Sequence, residues 1–355
     1  MPPDSSRRSL NRRQVALAIA GLHMAGHARA TIPWPTRSWA VAAPETQGMD
    51  PGALAALADL GRAGSMDSLL IARRGHIVLE SYYEPFRGEM QHPVNSATKG
   101  IVAALVAIAR AKALLLPPEA PLLDYFPGRE VENLGAFKKT ITLQHLLDMQ
   151  SGLAWDEPLD NRPPASLRQM RASADWVQFV LDRPMALPPG QAFNYNSGAS
   201  HLLSAVLARA TGLPADEYAR RELFGPLGIA DFQWQKDPQG IATGGFGLSM
   251  TTRDMAKIAL LVQQEGLWDG TQVLPREWAI GLRSGQVPMI ISAQLDFRYG
   301  QHWWRLPEYG AVMAVGFNRQ VVLVMHDLEL VAAATGRSHW DFGRVLGALR
   351  AAVVA

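Results

Sequence analysis

Apolar positions along the chain fall into blocks of distinct period. From Ser96 to about Lys112 nearly every residue is apolar on whichever face it falls, so the spacing predicts a central helix buried all round. Elsewhere apolar residues recur every three to four positions, the mark of a helix with one buried face. Such stretches are about Asp50 to Gly61, ASHLLSAVLARATG (199–212), DMAKIALLVQQEG (254–266) and a last helix with Phe342, Val345, Leu346, Leu349 and Val353 on one side. ITLQHLLDMQSGL (141–153) reads as a further helix, capped by Thr142 and closed by Gly152. Other runs are β-rich. DSLLIARRGHIVLESYYEPF (67–86) holds two of them around Arg74-Gly75 and reads as a hairpin. Residues 311–316, 320–326 and 328–335 are strand-like and separated by short turns.

Strands therefore lie toward both ends, with helices between. The simplest packing is an α+β fold: one antiparallel sheet built from both chain ends, flanked by helices, with a mainly helical inserted lobe. The sheet lobe would take residues 31–93 and 244–355, and the helical lobe 94–243. No internal repeat or low-complexity tract interrupts this order.

Composition agrees with a folded core: 355 residues, 48% hydrophobic and 19% charged. The net charge of +2 shifts once the N-terminus is considered. Residues 1–30 have a basic front (Arg7, Arg8, Arg12, Arg13), a short apolar run from Val15 to Gly26 and the small-residue ending Ala28-Arg29-Ala30. That is the plan of a secretory signal, too short to span a bilayer. NRRQVAL resembles a twin-arginine export signal, although His23 interrupts the apolar run. Export to the periplasm is the expectation. Loss of this segment removes five arginines and one aspartate and leaves 29 basic and 31 acidic residues. The basic balance is thus no argument for a nucleic-acid partner, and no membrane span is expected in the mature chain. The chain has no cysteine, which excludes disulfides and thiolate metal sites.

The chemistry begins with HPVNSATKGIVAAL (92–105), where a lysine enters an apolar segment. Of the six lysines only Lys99 has a serine three residues before it. On a helix, positions i and i+3 share a face. A serine at the N-terminal end feels the positive end of the macrodipole, which favours a developing alkoxide. Burial disfavours the charged form of lysine, and a neutral lysine can take the serine proton. Ser96 is then a nucleophile and Lys99 its base; the alternative is a capping serine and a snorkelling lysine. A second piece is LPPGQAFNYNS (187–197), which sets Tyr195, Asn196 and Ser197 in a Pro/Gly-rich loop before a helix. No H-E-x-x-H or G-x-S-x-G occurs, and GGFGLS lacks the setting of a dinucleotide loop, so no metal or cofactor is expected. His92, His145 and His201 read as structural.

S-x-x-K followed about a hundred residues later by Tyr-x-Asn or Tyr-x-Ser is the pattern of serine β-lactamases and penicillin-binding proteins. From about residue 45 to 350 the chain resembles the class C β-lactamase-related serine hydrolases, which include esterases, D-peptidases and nylon-oligomer hydrolases. SLLIARRGHIVLESYY, HPVNSATKGIVAALVAIA, ITLQHLLDMQSGLAWDE, FNYNSGASHLLSAVLARATG and GGFGLSMTTRDMAKIALLVQQEGLWDG carry the resemblance. It implies that Tyr195 shares proton transfer with Lys99, protonating the leaving group and then helping to activate water. Ser197 falls where the lactamases usually have asparagine and would be a shorter-reaching donor to substrate.

The third family motif departs from its pattern. Lactamases carry Lys-Thr-Gly on a strand lining the site, and related hydrolases a Gly-rich version ending in Gln. Here AVGFNRQVVLV (314–324) keeps Gly316 and Gln320 but has Phe317, Asn318 and Arg319 between them. The oxyanion hole can survive, with backbone N–H groups of Ser96 and Gln320. The cation that grips a carboxylate is missing at Phe317, with Arg319 as a possible substitute. The expectation is a serine hydrolase of a small-molecule ester or amide. The alternatives are a D-peptidase or β-lactamase, or a non-catalytic binding protein on the same fold.

Overall fold

The computed structural model describes residues 32–354 apart from 161, 285–286, 290–294 and 339–340. The segment expected to be an export signal lies outside the described residues. The chain begins with β1 (Ala40–Val41) and α1 (Pro51–Ala63), whose first turn is capped by Asp50 Oδ1 accepting from the Ala53 N–H at 2.9 Å. The hairpin β2 (Met66–Arg73) and β3 (His76–Tyr82) follows, turning through Arg74 and Gly75 at φ 49° and 79°. Positive φ at both central residues matches the right-handed twist of the strands, and glycine accepts it freely. After β4 (His92–Pro93) come α2 (Thr98–Ala111), α3 (Leu143–Leu147), α4 (Ala165–Ala172), α5 (Trp176–Leu181), α6 (Ser197–Thr211) and α7 (Ala215–Ala219). Strands β5 (Gln233–Trp234) and β6 (Leu248–Met250) precede α8 (Thr252–Gln263). The small pair β7 (Leu267–Trp268) and β8 (Thr271–Gln272) leads to α9 (Arg276–Gly281). The chain ends with β9 (Val287–Met289), β10 (Phe297–Gly300), β11 (Trp303–Leu306), β12 (Ala311–Gly316), β13 (Gln320–Met325), β14 (Leu330–Gly336) and α10 (Phe342–Ala351).

Among the described residues, the main sheet has the order β1-β3-β2-β14-β13-β12-β11-β10-β9. It joins both chain ends, as the sequence pattern requires, but it is mixed rather than wholly antiparallel, because β1 runs parallel to β3. A second small sheet, β4-β6-β5, sits where the chain enters and leaves its helical middle. Side chains alternate across the main sheet. Leu70, Ala72, Val322, Val324 and Ala314 face α2 and α8, whereas Leu69, Ile71, Val321, Leu323 and Met313 face α1 and α10. Helix α2 is buried along its length, with Ile101, Val102, Leu105 and Val106 each at most 2% exposed. Such side chains each contribute about 1.5–3 kcal/mol on full burial, which fixes the helix firmly enough to hold a polar group at its start. No helix among the described residues is long and apolar enough to cross a membrane.

Three expected boundaries shift. The helix after Thr142 stops at Leu147, because Met149 turns left-handed (φ 56°) well before Gly152. The strand expected from residue 328 starts at Leu330, after a 3-10 turn at His326–Leu328. The last helix ends at Ala351, so Val353 is not on its apolar face and instead bridges Met49.

Candidate active site

Ser96 does not lie in α2 but in the 3-10 turn Asn95–Ala97 that runs into it. Asn95 sits at φ 49°, a left-handed conformation that asparagine tolerates better than most residues. Its Nδ2 donates to the Phe317 carbonyl at 3.1 Å, and its own carbonyl accepts from Thr98 Oγ1 at 2.7 Å. The residue before Ser96 is thereby tied to the β12–β13 turn and to the first turn of α2. Gly316 closes this contact: a Cβ there would stand 2.2 Å from the Val94 carbonyl oxygen. Ser96 itself is half-buried.

Lys99 is 1% exposed. Its Nζ donates to Ser197 Oγ at 2.9 Å and the Gly245 carbonyl at 2.7 Å, is hydrogen-bonded with Ser96 Oγ at 3.0 Å, and lies 4.6 Å from the Tyr195 ring centre. Three polar neighbours around one amine explain how an apolar helix holds a lysine inside.

Tyr195 and Ser197 alternate with two anchors. The Asn194 N–H donates to the Met149 carbonyl at 2.7 Å and its Nδ2 to the Trp155 carbonyl at 3.1 Å. Asn196 Oδ1 caps α6 by accepting from the Ala199 N–H at 2.9 Å. Tyr195 is 7% exposed and packs against the rings of Phe193, Tyr299 and Trp304, with centres 6.5, 6.3 and 6.2 Å away. Ser197 Oγ donates to Glu157 Oε1 at 2.6 Å. Glu157 Oε2 accepts from the Ser197 N–H at 2.8 Å and from Trp155 Nε1 at 2.7 Å.

The Gly245 carbonyl is delivered by a loop held through a buried pair, His201 Nε2 with Asp237 Oδ2 at 3.0 Å. Burial works to raise the Asp237 carboxyl, but hydrogen bonds from His201 and from the N–H groups of Ile241 and Gln239 hold it below the usual carboxylate range. His145 caps α3, and His92 packs on Phe86, so all three histidines expected to be structural have such partners. Behind Tyr195 stand Tyr299 and His302. Burial first, and then the Lys99 charge, push His302 down to about 3.

The third motif forms the turn between β12 and β13, with the Arg319 N–H donating to the Gly316 carbonyl at 3.0 Å. Phe317 is 61% exposed at its tip, and Asn318 and Arg319 are left-handed at φ 60° and 62°. The sequence offers Arg319 as a substitute grip for an anionic substrate. Instead its guanidinium lies 4.2 Å over the Phe342 ring, on the sheet face that carries α10. Gln320 stands opposite Gly316 in the ladder. Its Nε2 donates to the Gly336 carbonyl at 2.7 Å and the Phe317 carbonyl at 3.3 Å, stapling the turn to the end of β14.

Sequence reasoning singled out Ser96, Lys99, Tyr195 and Ser197, and the structure brings these four together. It did not find Glu157 or the Gly245 carbonyl. Glu157 ends the stretch ITLQHLLDMQSGLAWDE, but no spacing marks it, and a backbone carbonyl leaves no trace in residue types. Among the described residues no group of three or more His, Asp or Glu is placed to hold a metal ion.

Residues 45–338 match the family profile described as Beta-lactamase. The 6-aminohexanoate-dimer hydrolase of Paenarthrobacter ureafaciens is 24% identical over 278 residues, 72% of this chain and 68% of that protein. A Bacillus anthracis protein assigned as a 6-aminohexanoate-dimer hydrolase has a similar solved structure, with TM-score 0.71 and 20% identity over 82% of this chain and 80% of that one. A family VIII carboxylesterase has TM-score 0.66 and 16% identity over 88% of this chain and 98% of its own.

Proposed function

The chain belongs to the beta-lactamase family, and from that premise we propose that it is a serine hydrolase that cleaves neutral esters or amides through an acyl-enzyme on Ser96. One observation carries this reading: a fully buried lysine whose Nζ lies 3.0 Å from the hydroxyl of a half-exposed serine. A capping serine and a snorkelling lysine would leave Nζ in water.

As Ser96 Oγ bonds to the substrate carbonyl carbon, its proton passes to the Lys99 Nζ lone pair and the carbonyl electrons move onto oxygen. That oxyanion is met by the Ser96 N–H in the turn leading into α2 and by a backbone N–H of the β12–β13 hairpin, which we assign to Gln320 opposite Gly316. Collapse restores the carbonyl and breaks the bond to the leaving alcohol or amine, which takes a proton from Tyr195; Lys99 then returns one to Tyr195. Water attacks the ester in the second half, giving its proton to the same pair, and Ser96 recovers its hydrogen. Tyr195 is suited to this exchange by its ring lying 4.6 Å from Nζ. The ester or amide class is supported by the apolar Phe317 at the rim and by Arg319 turning to Phe342. A named substrate of one relative, an amino-acid dimer, is an amide.

Ser96→Ala is expected to lose more than about a hundredfold in kcat on p-nitrophenyl butyrate while folding normally. An alanine variant above that level would overturn the nucleophile. Lys99→Arg is expected to be as damaging as Lys99→Ala, because a guanidinium stays protonated and cannot take the serine proton. An activity-directed phosphonate should add its mass to Ser96; failure to label would favour a non-catalytic binding protein.

A further inference from the structure

Ser197 was expected to reach toward substrate as a donor, but its one hydrogen is already committed. Its Oγ lies 2.6 Å from Glu157 Oε1 and 2.9 Å from Lys99 Nζ. The other Glu157 oxygen takes two N–H donors, from Ser197 and Trp155 Nε1, at 2.8 and 2.7 Å. A carboxylate only accepts, so Ser197 gives its hydrogen to Glu157 and can do nothing but accept from Lys99. The Gly245 carbonyl, 2.7 Å from Nζ, also only accepts. Two of the three positions around Nζ must therefore be N–H bonds. A neutral amine has two such bonds and one lone pair. With both hydrogens claimed, the lone pair is left facing the third neighbour, Ser96 Oγ at 3.0 Å.

We propose that Glu157 is the positioning residue of this site: by holding the hydrogen of Ser197 it aims the Lys99 lone pair at the Ser96 hydroxyl. The inference rests on the acyl-enzyme reading and adds what sets the direction of its first proton transfer. The ammonium formed by that transfer keeps the same two acceptors, so no group has to turn during the step. Without the carboxylate, the Ser197 hydrogen is free to swing onto Nζ and occupy the lone pair.

Glu157→Gln tests this with almost no change of shape. Its amide oxygen can serve the two N–H donors, which sets the NH₂ against Ser197 Oγ. That NH₂ donates, so Ser197 turns its hydrogen toward Lys99. The expected result with p-nitrophenyl butyrate is a fall in kcat of about thirtyfold or more, with KM within about threefold and an unchanged thermal midpoint. Ser197→Ala alone should lower kcat less, with KM held. Added to Glu157→Gln it should raise kcat again, because the hydroxyl that blocked the lone pair is gone. A role for Glu157 in merely holding its loop predicts no such rescue. The proposal is overturned by a Glu157→Gln enzyme within about threefold of wild type, or by a double variant no faster than that single one. If Glu157→Gln does not fold, Ser197→Ala decides: a raised KM with kcat kept would make Ser197 a substrate donor and end the proposal. Ser96→Ala runs beside them. An active Ser96→Ala enzyme would bring down the acyl-enzyme reading itself, whereas an inactive one beside an active Glu157→Gln would bring down only the role of Glu157.

Discussion

Phe317 occupies the tip of the β12–β13 turn with 61% of its surface exposed. On the proposed reading it stands where the resemblance to lactamases calls for a lysine that grips the carboxylate of penicillins or cephalosporins. A hydrogen bond to a charged group contributes about 1.5–3 kcal/mol, so its absence is enough to set a substrate preference. The wild-type protein is expected to have a higher kcat/KM for p-nitrophenyl butyrate than for nitrocefin. Phe317→Lys should raise the nitrocefin rate relative to the ester by roughly tenfold, which corresponds to about 1.4 kcal/mol. A lysine variant with an unchanged ratio, or a wild type that favours nitrocefin, would show that the missing cation does not govern selection. The backbone of the same residue has another duty, since its carbonyl accepts from both Asn95 and Gln320. A side-chain change there leaves these contacts available.

Elements meet closely where β12 passes under the turn that carries Ser96. Gly316 is needed there for close approach rather than for an unusual dihedral. A Cβ would stand 2.2 Å from the Val94 carbonyl and 3.0 Å from Asn95 Cβ, and a backbone carbonyl cannot swing aside as a side chain can. Gly316→Ala is expected to cost about 1–3 kcal/mol of stability and to lower kcat sharply by pushing the Asn95–Ala97 turn away from the sheet. Denaturation together with ester kinetics checks this; a variant normal in both would mean that the turn yields freely. Element by element, the apolar spacing was enough to find α2, α6, α8 and the strand runs of β12–β14, because each buries a continuous face. It was not enough for β10 and β11. Those strands are four residues each and turn through Gln301 and His302 at φ 53° and 61°. Neither residue signals a tight turn in sequence, where Asn-Gly or Asp-Gly would be expected. Distant groups hold the conformation instead: the Gln301 N–H donates to Asp148 Oδ1 at 3.0 Å and the His302 N–H to the Leu147 carbonyl at 2.9 Å. The same distinction applies to the site. Ser96 and Lys99 are legible because they are neighbours on one segment, whereas Glu157 meets Ser197 only after folding.

At the scale of the whole molecule, a buried histidine and a half-buried one link stability to pH. Burial and then Lys99 hold His302 down to about 3, and burial and then Arg283 hold His326 down to about 4. An unfolded histidine titrates near 6.5, so below about that pH the unfolded chain binds more protons at these positions than the folded one. Their contribution is complete above about pH 6.5 and is lost as pH falls toward the folded values, by up to about 1.4 kcal/mol per pH unit for each group. Burial pushes the carboxyls of Asp67 and Asp148 up, which acts in the opposite sense. Comparison of wild type with His326→Gln isolates one histidine: urea midpoints measured from pH 6 to 4.5 should fall less steeply in the variant. Equal slopes would show that His326 does not resist protonation. The sheet has a different consequence. In the proposed reaction the nucleophile, the base and the groups around the base come from residues 96 to 245, whereas the exposed rim side chain comes from a hairpin joined to them by contacts to its backbone. Inheritance can therefore act on the two parts separately. On the proposed reading, descendants that vary residue 317 would explore new substrates while the proton-handling core stays the same, and a saturation library confined to that one codon would sample the same space in the laboratory.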